Sequence, residues 1–108
     1  MKEPTLNETI ILLAILRRPG NAYGVTIRFE AAKISRRNVP YGTLYSFLNQ
    51  LFRKSYVLKS FGPPTSERGG RSKVLYQVTP DGLAALKEAY RLQHSVGRGL
   101  EEFIKVKA

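Results

Sequence analysis

Proline and glycine punctuation constrains this chain more than any other feature. Pro19-Gly20-Asn21, Val39-Pro40, Gly62-Pro63-Pro64 and Thr79-Pro80-Asp81 each stop or start an element, and between them the hydrophobic period changes. Thr5 and Glu8 have capping-box spacing, so a helix begins there and runs to Arg18. Ile10, Leu13, Ala14 and Arg17 lie along one side of it while Ile11, Leu12 and Ile15 crowd the rest, so it is apolar over more than one face and a partner chain is one candidate cover. A shorter helix covers Tyr23–Lys33, with Val25, Ile27, Phe29 and Ala32 as its apolar surface. Tyr41 to Lys54 repeats Leu44, Leu48, Leu51 and Phe52 at helical spacing, which predicts a third helix starting directly after Pro40 and ending near Ser55. Val57–Phe61 and Lys73–Val78 read as strands joined by a polar, basic loop of 11 residues, with Gly69 and Gly70 supplying its turn. Thr79 caps a last helix that begins at Pro80, carrying Leu83, Leu86 and Tyr90 on one stripe and Ala85, Ala89, Leu92 and Val96 on another. Gly97 and Gly99 each weaken a helix interior by about 1 kcal/mol, which predicts fraying or a separate tail element with Leu100, Phe103 and Ile104.

The third helix also has a polar front. Thr43, Ser46, Asn49, Gln50 and Arg53 fall off its apolar face. Asn, Gln and Arg make paired hydrogen bonds to base edges in a DNA major groove, and Ser and Thr suit bases or phosphates. The same residues also make an ordinary solvated surface, so charge has to decide. The chain holds 18 Lys and Arg against 8 Asp and Glu, a net charge of +10 and a pI near 10.2. Between Ala31 and Lys73 nine cations face Glu67 alone, so that segment carries +8 of the total. The balance calls for an anionic partner, nucleic acid or a membrane surface, and the basic face lacks the apolar anchors a membrane needs. Ile10 to Leu16 is too short to span a bilayer and is followed by Arg17 and Arg18, so neither a transmembrane helix nor a signal peptide is expected. With no cysteine there is no disulfide framework or thiolate chemistry, which fits a cytoplasmic location.

Three helices, a strand, a wing, a second strand and a final helix make a winged helix-turn-helix, mainly α with a small antiparallel β wing. ILLAILRRPGNAYG (Ile11–Gly24), GTLYSFLNQL (Gly42–Leu51), ERGGRSKVLYQVT (Glu67–Thr79) and TPDGLAAL (Thr79–Leu86), in this order and spacing, resemble the PadR family of prokaryotic transcriptional regulators over nearly the whole chain. The resemblance implies a homodimeric regulator or repressor whose third helix enters the major groove and whose wing touches the backbone or minor groove. Residues 1–79 would be the DNA-binding domain, and residues 80–108 a C-terminal dimerisation helix and tail packed on the same domain. Asn21 and Ala22 stand where the family has His or a similar polar residue, and Pro40 replaces a capping Ser. Ser55 replaces the Gly that closes the third helix, so a looser turn is expected there.

Candidate DNA contacts on the third helix are Tyr41, Thr43, Tyr45, Ser46, Asn49 and Gln50, with Leu44, Leu48, Leu51 and Phe52 holding the helix from behind. Tyr45 matches the tyrosine of the family's glycine-threonine-leucine-tyrosine motif, which is similar to a phosphate-contacting position. Candidate phosphate contacts are Arg36 and Arg37 before the helix, Arg53 and Lys54 at its end, and Arg68, Arg71 and Lys73 in the wing. A merely solvated charged face is the alternative for these. Tyr23 either meets phosphate or packs the helix-turn-helix. The expected dimer surface joins Ile11 and Ile15 to Ala85, Ala89, Leu92 and Val96. Leu16, Leu86 and Tyr90 offer a lining for a small-molecule effector between protomers, which the resemblance allows and dimer packing also explains.

His94 is the one histidine and has no carboxylate three or four residues away, so no metal site or other cofactor is expected. Asp81 and His94 come with no nucleophile elbow, and Gly69-Gly70 lack the Lys and helix of a phosphate loop, so enzyme activity is not expected. The expected function is therefore a sequence-specific DNA-binding regulator of the prokaryotic nucleoid that reads an inverted repeat. An architectural DNA-coating protein and a winged-helix module that meets an acidic protein are the alternatives.

Overall fold

The computed structural model describes residues 3–64 and 72–104. Its elements are α1 (Leu6–Leu16), α2 (Gly24–Ser35), α3 (Tyr41–Arg53), β1 (Val57–Pro64), β2 (Ser72–Val78) and α4 (Pro80–Ile104), the order expected of a winged helix. Residues 65–71, with Arg68, Arg71 and the turn glycines, lie outside the described residues, as does 105–108. The capping box forms: the Glu8 N–H donates to Thr5 Oγ1 at 3.2 Å and the Thr5 N–H to Glu8 Oε1 at 2.8 Å. α1 stops at Leu16 rather than Arg18, because the Arg18 N–H turns back to the Ile15 carbonyl at 3.0 Å and leads into the Pro19-Gly20 turn. α2 starts at Gly24, where the buried Thr26 hydroxyl accepts from the Tyr23 N–H at 3.0 Å and donates to the Asn21 carbonyl at 2.6 Å.

α1 is the centre of the packing. α2, α3, β2 and α4 all lean on it, so most of its apolar surface is covered within one chain, while Leu6, Leu13 and Leu16 stay exposed. Ile11, Leu12 and Ile15 sit in one core with Ile27, Ala31, Leu44, Leu48, Leu51, Tyr56, Val57, Tyr76 and Ala85. This corrects the expected dimer surface: Ile11, Ile15 and Ala85 are buried inside the protomer and have no surface left for a second chain. Phe52 is a second correction, since its ring is 44% exposed. It follows Leu51 by one residue, a rotation of about 100° that carries it off the leucine line, and Phe47 packs against the core instead.

β1 and β2 pair antiparallel from Val57↔Val78 to Phe61↔Val74. Gly62-Pro63-Pro64 do not end β1 as expected; they break its register, and pairing resumes at Pro64↔Ser72. On its other edge β2 is tied to the turn before α2, because the Tyr76 N–H donates to the Ala22 carbonyl at 2.8 Å. The α3 and α4 ends meet at one node. The Tyr56 N–H bonds the Leu51 carbonyl at 2.9 Å, the Thr79 N–H bonds the Tyr56 carbonyl at 3.0 Å, and the Thr79 hydroxyl donates to the Ser55 carbonyl at 2.7 Å while capping Gly82 N–H at 3.0 Å. Gly82 is required here, since a Cβ on it would overlap the Tyr56 carbonyl oxygen.

α4 continues through Gly97 and Gly99 without a break, contrary to the expected fraying. Leu100, Glu101 and Glu102 are good helix formers and follow the weak positions directly. Only Gly82 and Ala85 of α4 are buried, and from Tyr90 to Ile104 every residue is exposed, so the helix projects beyond the domain body. Apolar side chains remain uncovered along it, Tyr90 at 67% and Phe103 at 83% exposure.

Ser55 closes α3 at φ 63, the left-handed turn that a glycine would adopt without a Cβ penalty, so the turn is not looser than the family pattern but strained. Ser55→Gly is expected to raise unfolding stability by about 1 kcal/mol in a urea titration. Glu30 on α2 is buried with Arg18 at 2.8 Å, Arg17 at 3.6 Å and Lys33 at 3.9 Å. The hydrogen bond from Arg18 holds its carboxyl below the ordinary carboxylate range against the opposing effect of burial. A depressed folded-state pKa stabilises above the unfolded pKa and is lost as pH falls through the folded one. The melting temperature should therefore fall as pH drops from about 5 to 3. Glu30→Gln should melt lower than the parent at neutral pH, with the gap closing in acid.

Candidate nucleic-acid interface

α3 presents the front that its sequence pattern predicts. Leu44, Leu48 and Leu51 are fully buried, and at 100° per residue Ser46, Asn49 and Arg53 lie on the opposite side, flanked by Thr43 and Gln50. All five are exposed. Tyr41 and Tyr45, one turn apart, occupy the other flank with ring centroids 6.4 Å from each other, and each is 42% exposed. Tyr45 lies against the start of α2, where a Cβ on Gly24 would overlap its hydroxyl. Behind it, burial pushes the Tyr76 phenol above its ordinary pKa.

Three cations rest on aromatic rings around this helix. Arg28 of α2 lies 4.7 Å from the Tyr41 centroid and donates through Nε to the Val39 carbonyl at 2.6 Å, tying the α2–α3 connector to the first turn of α3. Lys73 of β2 lies 4.3 Å from the Tyr23 centroid, and Lys59 of β1 lies 4.5 Å from the Phe52 centroid. Arg28, Lys59 and Phe52 join the candidate surface although sequence reasoning assigned them no contact role. Nothing in the linear pattern relates a helix arginine or a strand lysine to a ring on another element. Arg36 takes a left-handed conformation at φ 60 to end α2, and Arg37 follows it, so both stand exposed in the connector that leads to α3.

Lys54 departs from expectation. Its ammonium turns inward to Glu8 Oε1 at 2.7 Å, and its side chain is 20% exposed while that of Glu8 is fully buried. A cation already spent on a buried carboxylate is a poor phosphate ligand, so the exposed anchor at the end of α3 is Arg53. Arg36, Arg37 and Arg53 have no carboxylate partner among the described residues. Arg68 and Arg71 lie outside them.

The sequence model of the PadR-like family of transcriptional regulators matches residues 12–88, more than two thirds of the chain. This chain belongs to that family. Its work is therefore DNA-binding regulation of transcription, not catalysis. The fold is similar to solved structures of transcriptional regulators, PadR-family members among them. A transcriptional regulator from Clostridium thermocellum superposes with a TM-score of 0.74 at 21% identity, covering 91% of this chain and 89% of that one. A PadR family regulator from Clostridium difficile gives 0.72 at 20% identity, covering 93% and 99%. A PadR-like transcription factor from Bacteroides fragilis gives 0.71 at 24%, covering 90% and 87%. Among the curated proteins none matches this chain. No described helix is long and apolar enough to cross a membrane.

The packing of Tyr45 against Gly24 can be tested directly. Gly24→Ala meets the far end of a half-exposed ring rather than backbone, so the ring gives way and the fold survives. The melting temperature should change by less than about 5 °C, while the Tyr45 ring resonances shift in an NMR spectrum and those of Tyr56 do not.

Proposed function

We propose that the chain is a homodimeric repressor that reads an inverted repeat with two copies of α3. The observation that carries this reading is the α3 front, where uncharged hydrogen-bonding side chains sit between cations and no acid intervenes. Thr43, Ser46, Asn49 and Gln50 are the base-reading candidates; Arg36, Arg37, Arg53 and Lys73, with Arg68 and Arg71 from the wing, are the backbone contacts; Tyr23, Tyr41 and Tyr45 border both.

Dimerisation rests on α4, within residues 80–108. Beyond Ala85 the positions Ala89, Leu92, Val96, Gly99 and Phe103 recur at alternating three- and four-residue steps, the seam of a two-helix contact, and Leu92, Val96 and Phe103 are exposed in the single chain. A two-fold contact of this kind places two α3 helices on one face of a duplex, and the symmetry of the protein is then matched by an inverted repeat. Leu86 and Tyr90 share a groove with Leu6, Leu13 and Leu83 between α1 and α4, where an apolar effector or the partner's helix fits. Leu16 does not belong to it and lies at the other end of α1 beside β2. Repression needs only occupancy of a promoter site, and cytoplasmic residence on the nucleoid follows from that role.

Selection of bound duplexes from random DNA tests the reading. The expected product is a palindromic consensus with half-sites about one helical turn apart or more, bound by a dimer in sedimentation. Equal binding of random and palindromic duplexes at physiological salt would sink it in favour of a DNA coater.

A further inference from the structure

Glu8 and Lys54 join two helix ends that are 46 residues apart in sequence. Glu8 is in the first turn of α1, and the Thr5 N–H, which donates to the same oxygen at 2.8 Å, fixes its carboxylate from the other side. Lys54 is the C-cap of α3, with its N–H on the Gln50 carbonyl at 3.0 Å, one residue beyond the exposed Arg53. The leucines of α3 hold the helix against the core, but apolar burial is non-directional and ends at Leu51. A charge-assisted hydrogen bond is directional and short, and here it acts on the helix end that carries Asn49, Gln50 and Arg53.

Stability is a poor reason for this pair. Replacing a buried ion pair with uncharged groups is often neutral or stabilising, and Glu8 Oε2 has no donor among the described residues although it is buried. What such a pair provides is a fixed geometry. Base readout demands that, because a contact side chain must be held to within about 0.5 Å of its productive position. We propose that the Glu8–Lys54 pair is the positioning contact of α3, setting the angle of its C-terminal half on DNA, and through it sequence discrimination, without touching phosphate.

This rests on the reading of α3 as the base-reading helix, and the test separates the two. Lys54→Met removes the donor of the pair; Glu8→Gln with Lys54→Met removes both charges and keeps an acceptor for the Thr5 N–H. Each is titrated against a duplex selected by the parent protein and against a scrambled duplex of the same composition, over a range of salt. The double variant is expected to melt within about 5 °C of the parent and to bind the scrambled duplex with parental affinity and salt slope, whereas Lys54→Met, which leaves the buried Glu8 carboxylate unpaired, is expected to melt lower. The ratio of the two affinities is expected to fall about tenfold. Lys54→Arg, which preserves the pair, should retain the parental ratio. A parental ratio in the double variant overturns the proposal, and should that variant not fold, a parental ratio in Lys54→Met overturns it instead. So does a salt slope in the double variant lower by about one counterion, which would make Lys54 a phosphate ligand. If the parent itself does not discriminate, the reading of α3 falls and the proposal with it; if parent and variants discriminate alike, only the positioning role falls.

Discussion

Burial of Leu44, Leu48 and Leu51 against α1 is the constraint on which the rest of the structure depends. Each fully buried leucine contributes roughly 2 kcal/mol, and together they fix the rotation of α3 about its axis. Once that rotation is set, Ser46, Asn49 and Arg53 have to face outward, because they are about half a turn away. α1 makes the arrangement possible by being apolar on two faces. It serves α3 on one side while α2, β2 and α4 occupy the others.

The two buried acids then sort the cations. Glu30 collects Arg17, Arg18 and Lys33 on the α1–α2 side, and Glu8 collects Lys54. The α3 face therefore keeps its positive charge without an acid of its own. Arg28, Lys59 and Lys73 rest on Tyr41, Phe52 and Tyr23, so the cations there are held by rings rather than by carboxylates. A ring contact leaves the charge available to an anion, whereas an ion pair consumes it.

Element order, the capping box at Thr5, the start of α3 after Pro40 and the cap at Thr79 were legible in the sequence, since each depends on residues within four positions of one another. The family was legible too, because four short motifs kept their order and spacing. Helix ends and packing partners were less so. α1 ends two residues early because of a local carbonyl turn, and β1 passes through Gly62-Pro63-Pro64 because a hairpin absorbs prolines as an irregularity. Ile11, Ile15 and Ala85 looked available to a second chain only because the number of elements that would crowd α1 does not show in a helical wheel.

For this protein the sequence by itself determined which stretches become helix or strand, which side of α3 is apolar and where positive charge gathers. Those properties follow from dihedral preference, period and composition, all of them local. Only the tertiary structure decided which cations remain at the surface. Lys54 and Arg53 are neighbours with the same charge, yet one is drawn into the protein by a carboxylate 46 residues away and the other is left on the exposed front of α3. Electrostatic pairing acts through space, and nothing in the order of residues encodes the 2.7 Å that separates Lys54 from Glu8.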